Sequence, residues 1–230
     1  MKHIGIVMAA GSGKRMKSEV PKQFLEIKGK PLLYYTLRAM EESFIDEIIL
    51  VVREEDEEYV KSQIVEKYNF KKVSRVTKGG RERFESVYNG LLAVSDEDSY
   101  VYIQDGARPF LSKESLERIR EAVIKEGAAV LAVPVTDTIK AVDSYGYILN
   151  TPNRNSLVAA QTPQAFKYEI IKEAFVRYFE NSYKSEGFIV TDDASLVERF
   201  SNTKVKFVMG DYENIKITNP RDIRLAEEML

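Results

Sequence analysis

Two glycines one residue apart, placed directly behind a short apolar run, constrain this chain more than any other feature. Ile4-Gly5-Ile6-Val7-Met8 runs into Ala9-Ala10-Gly11-Ser12-Gly13-Lys14-Arg15-Met16, and Pro21-Lys22-Gln23 follows. An apolar run without polar alternation is the pattern of a strand buried on both faces, so it predicts an inner strand of a parallel sheet. Gly11 and Gly13 let the backbone turn tightly and approach a ligand without Cβ obstruction. Lys14, Arg15 and Lys22 bring positive charge to the same place. Bare N–H groups and cations at the carboxyl end of a strand form a phosphate site in physical terms. An ordinary βα turn with solvated basic residues is the alternative.

The familiar glycine loops do not fit. A dinucleotide fingerprint needs a third glycine where Met16 stands and an acidic residue about twenty positions on, where Pro31 to Tyr35 lie. A Walker A loop needs glycine at Met8 and a hydroxyl residue at Arg15. Cysteine is absent, which removes disulfides, thiolate nucleophiles and Cys-zinc sites. The single histidine, His3, reads as an exposed residue near the terminus, and a Ser-His-Asp triad is excluded with it. The chemistry must then run on Lys, Arg, Asp, Glu and hydroxyls, which suits phosphoryl and nucleotidyl transfer. A net charge of −2 gives no reason to expect nucleic-acid binding. No apolar run reaches membrane-spanning length, no signal peptide is evident, and cytoplasmic residence is the expectation.

Along the 230 residues, strand and helix patterns alternate. Strands are expected at 48–52, 73–76, 100–103 and 129–133. Helices are expected after Pro31, over 56–67, over 81–94, and from a Ser112 cap to about Lys125. That alternation predicts an α/β fold with a doubly wound, mostly parallel sheet in a single domain over 1–230, with ligands beyond the carboxyl ends of the strands. The stretch 136–160 departs from it. Thr138–Val142 and Tyr147–Leu149 flank Asp143-Ser144-Tyr145-Gly146 as a protruding β-hairpin arm, and such a hairpin is marginal unless packed on something. A strand at Leu157–Ala160, helices at Phe166–Phe179 and Thr191–Arg199, a strand at 205–209 and a last helix capped by Asn219 complete the reading.

Several clusters could carry chemistry. Gly79-Gly80-Arg81-Glu82-Arg83-Phe84-Glu85-Ser86 opens a helix, and its N–H groups could read a base edge or hold an anion; a capped loop with surface charges fits equally. Asp105 and Arg108 follow the strand at 100–103, where an Asp can hold Mg²⁺ on a triphosphate, or simply form a salt-bridged turn. Thr191-Asp192-Asp193 reads most simply as a helix cap.

Taken together, the pieces A-A-G-S-G-K-R-M, P-K-Q, G-G-R-E-R-F-E-S-V, Q-D-G-A-R-P-F, P-V-T-D-T-I-K, N-R-N-S-L, Q-T-P-Q-A-F, T-D-D-A-S and N-I-K-I-T-N-P-R-D resemble the 2-C-methyl-D-erythritol 4-phosphate cytidylyltransferase family, in order and over nearly the whole chain. One departure is Gln104, where the family often has His; a Gln cannot ionise, so no catalytic role is assigned to it. The resemblance implies transfer of CMP from CTP to the polyol phosphate in non-mevalonate isoprenoid biosynthesis, with Mg²⁺ or another divalent cation. It implies catalytic roles for Arg15, Lys22, Arg154 and Lys216, and CTP contacts from Ala10, Gly11, Ser12, Gly13, Gly80, Arg81, Glu82, Arg83 and Ser86. Substrate contacts are implied for Asp105, Ala107, Arg108, Thr138, Arg154, Thr191 and Lys216, and metal binding for Asp105. It also implies a homodimer in which the arm at about 137–159 reaches the neighbouring site. Ribitol 5-phosphate cytidylyltransferases share the fold and opening motif, and Lys140 in D-T-I-K favours the methylerythritol branch by resemblance. A catalytically silent nucleotide-binding regulator is the rival from another class; Arg15, Lys22, Arg154 and Lys216 together speak against it.

Overall fold

The computed structural model describes residues 1–11, 20–180 and 187–230. In chain order the elements are β1 (Lys2–Met8), β2 (Glu26–Ile27), β3 (Lys30–Pro31), α1 (Leu32–Glu41), β4 (Glu47–Val52), a helical stretch over 54–66 containing α2 (Glu57–Val60), β5 (Val73–Lys78), α3 (Arg83–Leu92), β6 (Ser99–Asp105), α4 (Lys113–Glu126), β7 (Ala128–Pro134), β8 (Ala141–Val142), β9 (Ile148–Asn150), β10 (Val158–Lys167), α5 (Tyr168–Glu180), α6 (Asp193–Phe200), β11 (Lys206–Met209) and α7 (Pro220–Met229).

The main sheet runs β11-β7-β10-β6-β1-β4-β5. β1 lies inside it, parallel to β4 and β6 on its two sides. Both of its faces are covered, as its apolar run requires. Ile4 and Ile6 point into one core layer with Ile49, Val51, Val101, Ile103 and the helices α3, α5 and α6. Val7 points into the other with Leu50, Val52, Tyr102, α1 and α4. The α3 helix packs very close to this strand: a Cβ on Gly90 would stand 2.6 Å from Ile6 Cγ2. A third, smaller cluster of Ile27, Leu32, Ala107, Ile217 and Ala226 pins the C-terminal segment beside the sheet's carboxyl edge.

The structure corrects three expectations. The segment after the arm is one long strand through Lys167, and α5 starts at Tyr168 instead of Phe166. Phe166 is fully buried and pairs with Val101 of β6 and Ala128 of β7. Two ladder partners outweigh the helical apolar spacing that begins there. This strand, β10, runs antiparallel to both neighbours within an otherwise parallel sheet, with a register shift between Ala160 and Gln164. His3 is not an exposed terminal residue. It is 9 % exposed, stacked on Tyr100 and edge-on to Phe44, with Nδ1 and the Tyr102 hydroxyl 2.8 Å apart. The strand begins at Lys2, so His3 already belongs to the packed sheet. Asp46 fixes it by accepting its backbone N–H at 2.8 Å.

The arm is present, with strands shorter than its composition implies: Ala141 and Val142 pair with Asn150 and Ile148. Its turn is held by Asp143 Oδ1, which accepts from the N–H groups of Tyr145 and Tyr147, and by Gly146 at φ 87°. Among the described residues nothing covers its apolar side chains: Tyr145 is 86 % exposed, Leu149 64 % and Ile148 62 %. The expected caps at Ser112, Asp192 and Asn219 are formed, each side chain accepting a first-turn N–H. No helix among the described residues is long and apolar enough to cross a membrane.

Candidate active site

The carboxyl ends of β1, β4 and β6 open onto a cleft of about 490 Å³. Its walls include Ala10, Gly11, Lys22, Arg53, Gly80, Arg81, Glu82, Arg83, Ser86, Asp105, Ala107 and Lys216. The sheet thus brings together residues separated by two hundred positions in sequence. Ser12, Gly13, Lys14 and Arg15 lie outside the described residues. Lys22 is placed by its neighbours: Gln23 Nε2 donates to Ala9 O at 2.7 Å, tying the turn to the end of β1. The Lys22 ammonium itself donates to Ile217 O at 3.0 Å.

Gly79 allows the loop before α3 to meet the loop after β1 at backbone distance. A Cβ on it would stand 2.4 Å from the Ala10 Cβ and 2.9 Å from Ser86 Oγ. The N–H groups of this loop are already engaged. Gly79 donates to Val52 O, Gly80 to Ser86 Oγ at 2.9 Å, and Arg81 and Glu82 to Glu85 Oε2 at 2.8 and 3.1 Å. Of the two readings left open for this segment the capped loop is formed: the N–H groups of Arg81 and Glu82 hold the Glu85 carboxylate, as suits a helix N-terminus. With the N–H groups of 79–82 engaged, the loop meets a ligand with its side chains and with the carbonyls before Glu82.

Asp105 is the electrostatic centre. Its carboxylate lies 2.6 Å from Lys216 Nζ, 3.5 Å from Arg83 Nε and 3.9 Å from Arg108 Nε. Burial pushes its pKa up, but Arg83, Lys216 and Arg108 outweigh burial and pull it down to about 2. Arg83 in turn grips Asp193 through both terminal nitrogens at 2.9 and 2.8 Å. Burial works against its charge, yet the two carboxylates hold its pKa above the ordinary arginine value. Asp193 is fully buried at the start of α6, so the helix carries this counter-charge to the cleft.

A second cleft of about 350 Å³ shares Arg83, Asp105 and Lys216 with the first and adds Arg108, Gln161, Thr162, Gln164 and Thr191. It therefore joins Arg108 and Thr191 to the cation cluster. Thr162, Gln161 and Gln164 were missed as site residues, although they stand within Q-T-P-Q-A-F; their signal was a run of polar residues at the bend of a buried strand. Thr162 Oγ1 accepts the Asp105 backbone N–H at 3.0 Å, and Gln164 Oε1 accepts from Ala194 N at 2.9 Å. Thr138 and Arg154 line neither cleft. Both are on the exposed arm, where Arg154 Nη1 donates to Thr136 O at 3.0 Å. Gln104 is fully buried and lines neither cleft. Among the described residues no three His, Cys, Asp or Glu side chains converge as a metal cage. Asp105 is ionised, and its Oδ1 faces only the Arg83 nitrogen at 3.5 Å among the described ion pairs. One carboxylate of this kind beside a triphosphate fits Mg²⁺, which is commonly held through one or two carboxylates and substrate phosphates.

Residues 3–230 match the family model of 2-C-methyl-D-erythritol 4-phosphate cytidylyltransferase. The protein of that name from Lachnospira eligens is 49 % identical over 222 residues, covering 96 % of each chain. Its namesake from Clostridium perfringens is 46 % identical, covering all of this chain and 99 % of its own. Among solved structures, 4-diphosphocytidyl-2C-methyl-D-erythritol synthase from Anaerococcus prevotii superposes with a TM-score of 0.85 at 37 % identity, covering 99 % of this chain and 95 % of its own. The cytidylyltransferase from Thermus thermophilus gives 0.77 at 31 % identity, covering 100 % and 98 %.

Proposed function

The chain belongs to the 2-C-methyl-D-erythritol 4-phosphate cytidylyltransferase family, and on that premise we propose how its own residues carry the transfer. It is a cytidylyltransferase. CMP passes from CTP to 2-C-methyl-D-erythritol 4-phosphate, giving 4-diphosphocytidyl-2-C-methyl-D-erythritol and pyrophosphate in isoprenoid precursor synthesis. The observation that carries the reading is the convergence of Lys22, Arg83, Arg108 and Lys216 on two adjoining clefts that meet at Asp105.

A phosphate oxygen of the substrate attacks the α-phosphorus of CTP in line, the bond to the β-phosphate oxygen breaks, and pyrophosphate leaves. Both reactants are anions, so the residues must bring like charges together and stabilise the charge that builds up between them. The first cleft takes CTP. Ala10, Gly11, Ser12 and Gly13 hold the triphosphate, with Arg15 and Lys22 as the cations at the α-phosphate. Gly80, Arg81, Glu82, Arg83, Ser86 and Ala107 surround the nucleoside. Since the N–H groups of the Gly80 loop are turned inward, its carbonyls accept from the cytosine 4-amino group, and uracil, with an oxygen there, is rejected. The second cleft takes the polyol phosphate, with Asp105, Arg108 and Thr191 on the polyol and Lys216 on the phosphate. Mg²⁺ bound to the triphosphate beside Asp105 would neutralise charge on the departing pyrophosphate.

The active unit is a homodimer. The arm's exposed Ile139, Val142, Tyr145, Tyr147, Ile148 and Leu149 call for a partner surface, and the second subunit's arm supplies it about a two-fold axis. Thr138 and Arg154, remote from their own subunit's clefts, then reach the neighbour's substrate. A pyrophosphate-release assay with CTP and either 2-C-methyl-D-erythritol 4-phosphate or ribitol 5-phosphate tests the function. Turnover with the first is expected; turnover with ribitol 5-phosphate alone would overturn the assignment. UTP should be turned over far more slowly than CTP, and equal rates would remove the carbonyl-lined base site.

A further inference from the structure

We infer that Asn214 is a positioning residue for the transfer, acting through Lys216. This rests on the reading of Lys216 given above. Lys216 carries a flexible four-carbon stem, and a mobile ammonium is a poor electrostatic catalyst unless its backbone is fixed. The segment that bears it is a loop between β11 and α7 with no strand or helix of its own. It is anchored on both sides of Lys216. On one side Ile217 N donates to Ala107 O at 2.9 Å, and the Ile217 side chain is buried in the small apolar cluster. On the other side stands Asn214, fully buried.

Asn214 uses side chain and backbone together. Its Nδ2 donates to Thr162 O at 2.9 Å and to Gln161 Oε1 at 3.4 Å. Its carbonyl accepts from Arg108 Nη1 at 2.5 Å. Thr162 is the residue whose hydroxyl accepts the Asp105 N–H. Asn214 therefore links the Lys216 loop to the bend of β10 through its carboxamide and to the segment after β6 through its main-chain carbonyl, and these segments meet at the second cleft. Burying a carboxamide costs free energy unless its partners are met. Here Nδ2 is met by Thr162 O and Gln161 Oε1 while Oδ1 has no hydrogen-bond partner among the described residues, so what the amide secures is the tie between the Lys216 loop and the Thr162 bend beside Asp105.

The test is a cycle of Asn214→Ala, Lys216→Ala and the double variant, with kcat and KM for both substrates and equilibrium binding of CTP. Asn214→Ala should lower kcat/KM for the polyol phosphate by about tenfold to a hundredfold, the scale of misplacing a positioned group. CTP affinity should stay within about twofold. In the Lys216→Ala background the same change should add less than about twofold, because contacts that work through one group are not additive. A merely structural Asn214 would lower the melting temperature and leave kcat/KM of the folded protein unchanged, and that result overturns the inference. Full additivity of the two losses overturns it as well. Wild-type activity in Lys216→Ala would instead strike the reading of Lys216, a distinguishable failure. Should Asn214→Ala not fold, Asn214→Ser, which keeps one donor, takes its place in the same cycle with the same outcomes.

Discussion

Lys22 shows what a single side chain contributes when its surroundings fix it. Gln23 ties its turn to β1, and its ammonium already rests on Ile217 O. Lys22→Ala should lower kcat by on the order of a hundredfold or more, the usual scale for losing a preorganised charge, with smaller changes in KM. A near-wild-type kcat in steady-state assays would make it a surface lysine. His3 gives a prediction of a different kind. Burial lowers its pKa, with Arg120 and the amino terminus acting in the same direction and Asp46 and Glu117 opposing. Tyr100, Tyr102 and Phe44 complete its surroundings. The unfolded chain binds the proton more readily, so His3 contributes stability above its ordinary value of 6.5 that is lost as pH falls through the lowered folded pKa. Melting temperature should therefore fall between pH 7 and pH 5, and His3→Phe should flatten that slope; an unchanged slope would contradict the assignment. Lys22, Asp105 and Arg108 stood out in the sequence as charged groups near the ends of apolar runs, but each also fitted a solvated or salt-bridged turn, and it was the family resemblance that gave them roles. The place of His3 was not legible, since nearness to a terminus says nothing about whether the terminal strand is central. Nor was that of Thr162, whose hydroxyl serves a neighbour's backbone.

At the scale of elements, the loop before α3 carries the sharpest constraint. Gly79→Ala forces a Cβ to within 2.4 Å of Ala10 and must push apart the two loops to which we assign the nucleotide. A rise in KM for CTP on the order of tenfold to a hundredfold is expected, with the fold kept because β1 and α3 are secured elsewhere, and titration calorimetry with CTP would read it directly. Unaltered CTP affinity would show that the two loops do not jointly bind it. The sheet itself was largely readable: β1, β4, β6 and β7 are apolar runs whose burial on both faces leaves no other solution. β10 and α5 were misdivided because Gln164-Ala165-Phe166-Lys167 has no breaker at the junction, and only pairing with β6 and β7 fixes where strand ends. The direction of β10 has no local signature at all.

At the scale of the molecule, the borrowed-arm arrangement has a direct test. Lys22→Ala and Arg154→Ala should each be nearly inactive as homodimers. Mixed and allowed to exchange subunits, they should regain part of the activity, because one of the two sites in each heterodimer then carries neither lesion. Demonstrated exchange without recovery would place Arg154 in its own subunit's site. The antiparallel course of β10 bears on this as well. β7 ends at the same edge where the clefts open, and β10 begins there, with Pro134 opposite Val158. The arm is therefore an excursion within a connection that the sheet could close with a short turn, since antiparallel neighbours need only a hairpin between them. On this reading the arm's share of the transfer and the folding of the sheet belong to separable lengths of chain. Replacing residues 137–156 by a brief glycine-containing turn should leave a folded monomer, by sedimentation, that still binds CTP and no longer transfers it. That outcome would make the arm a removable tool mounted on a frame that does not depend on it.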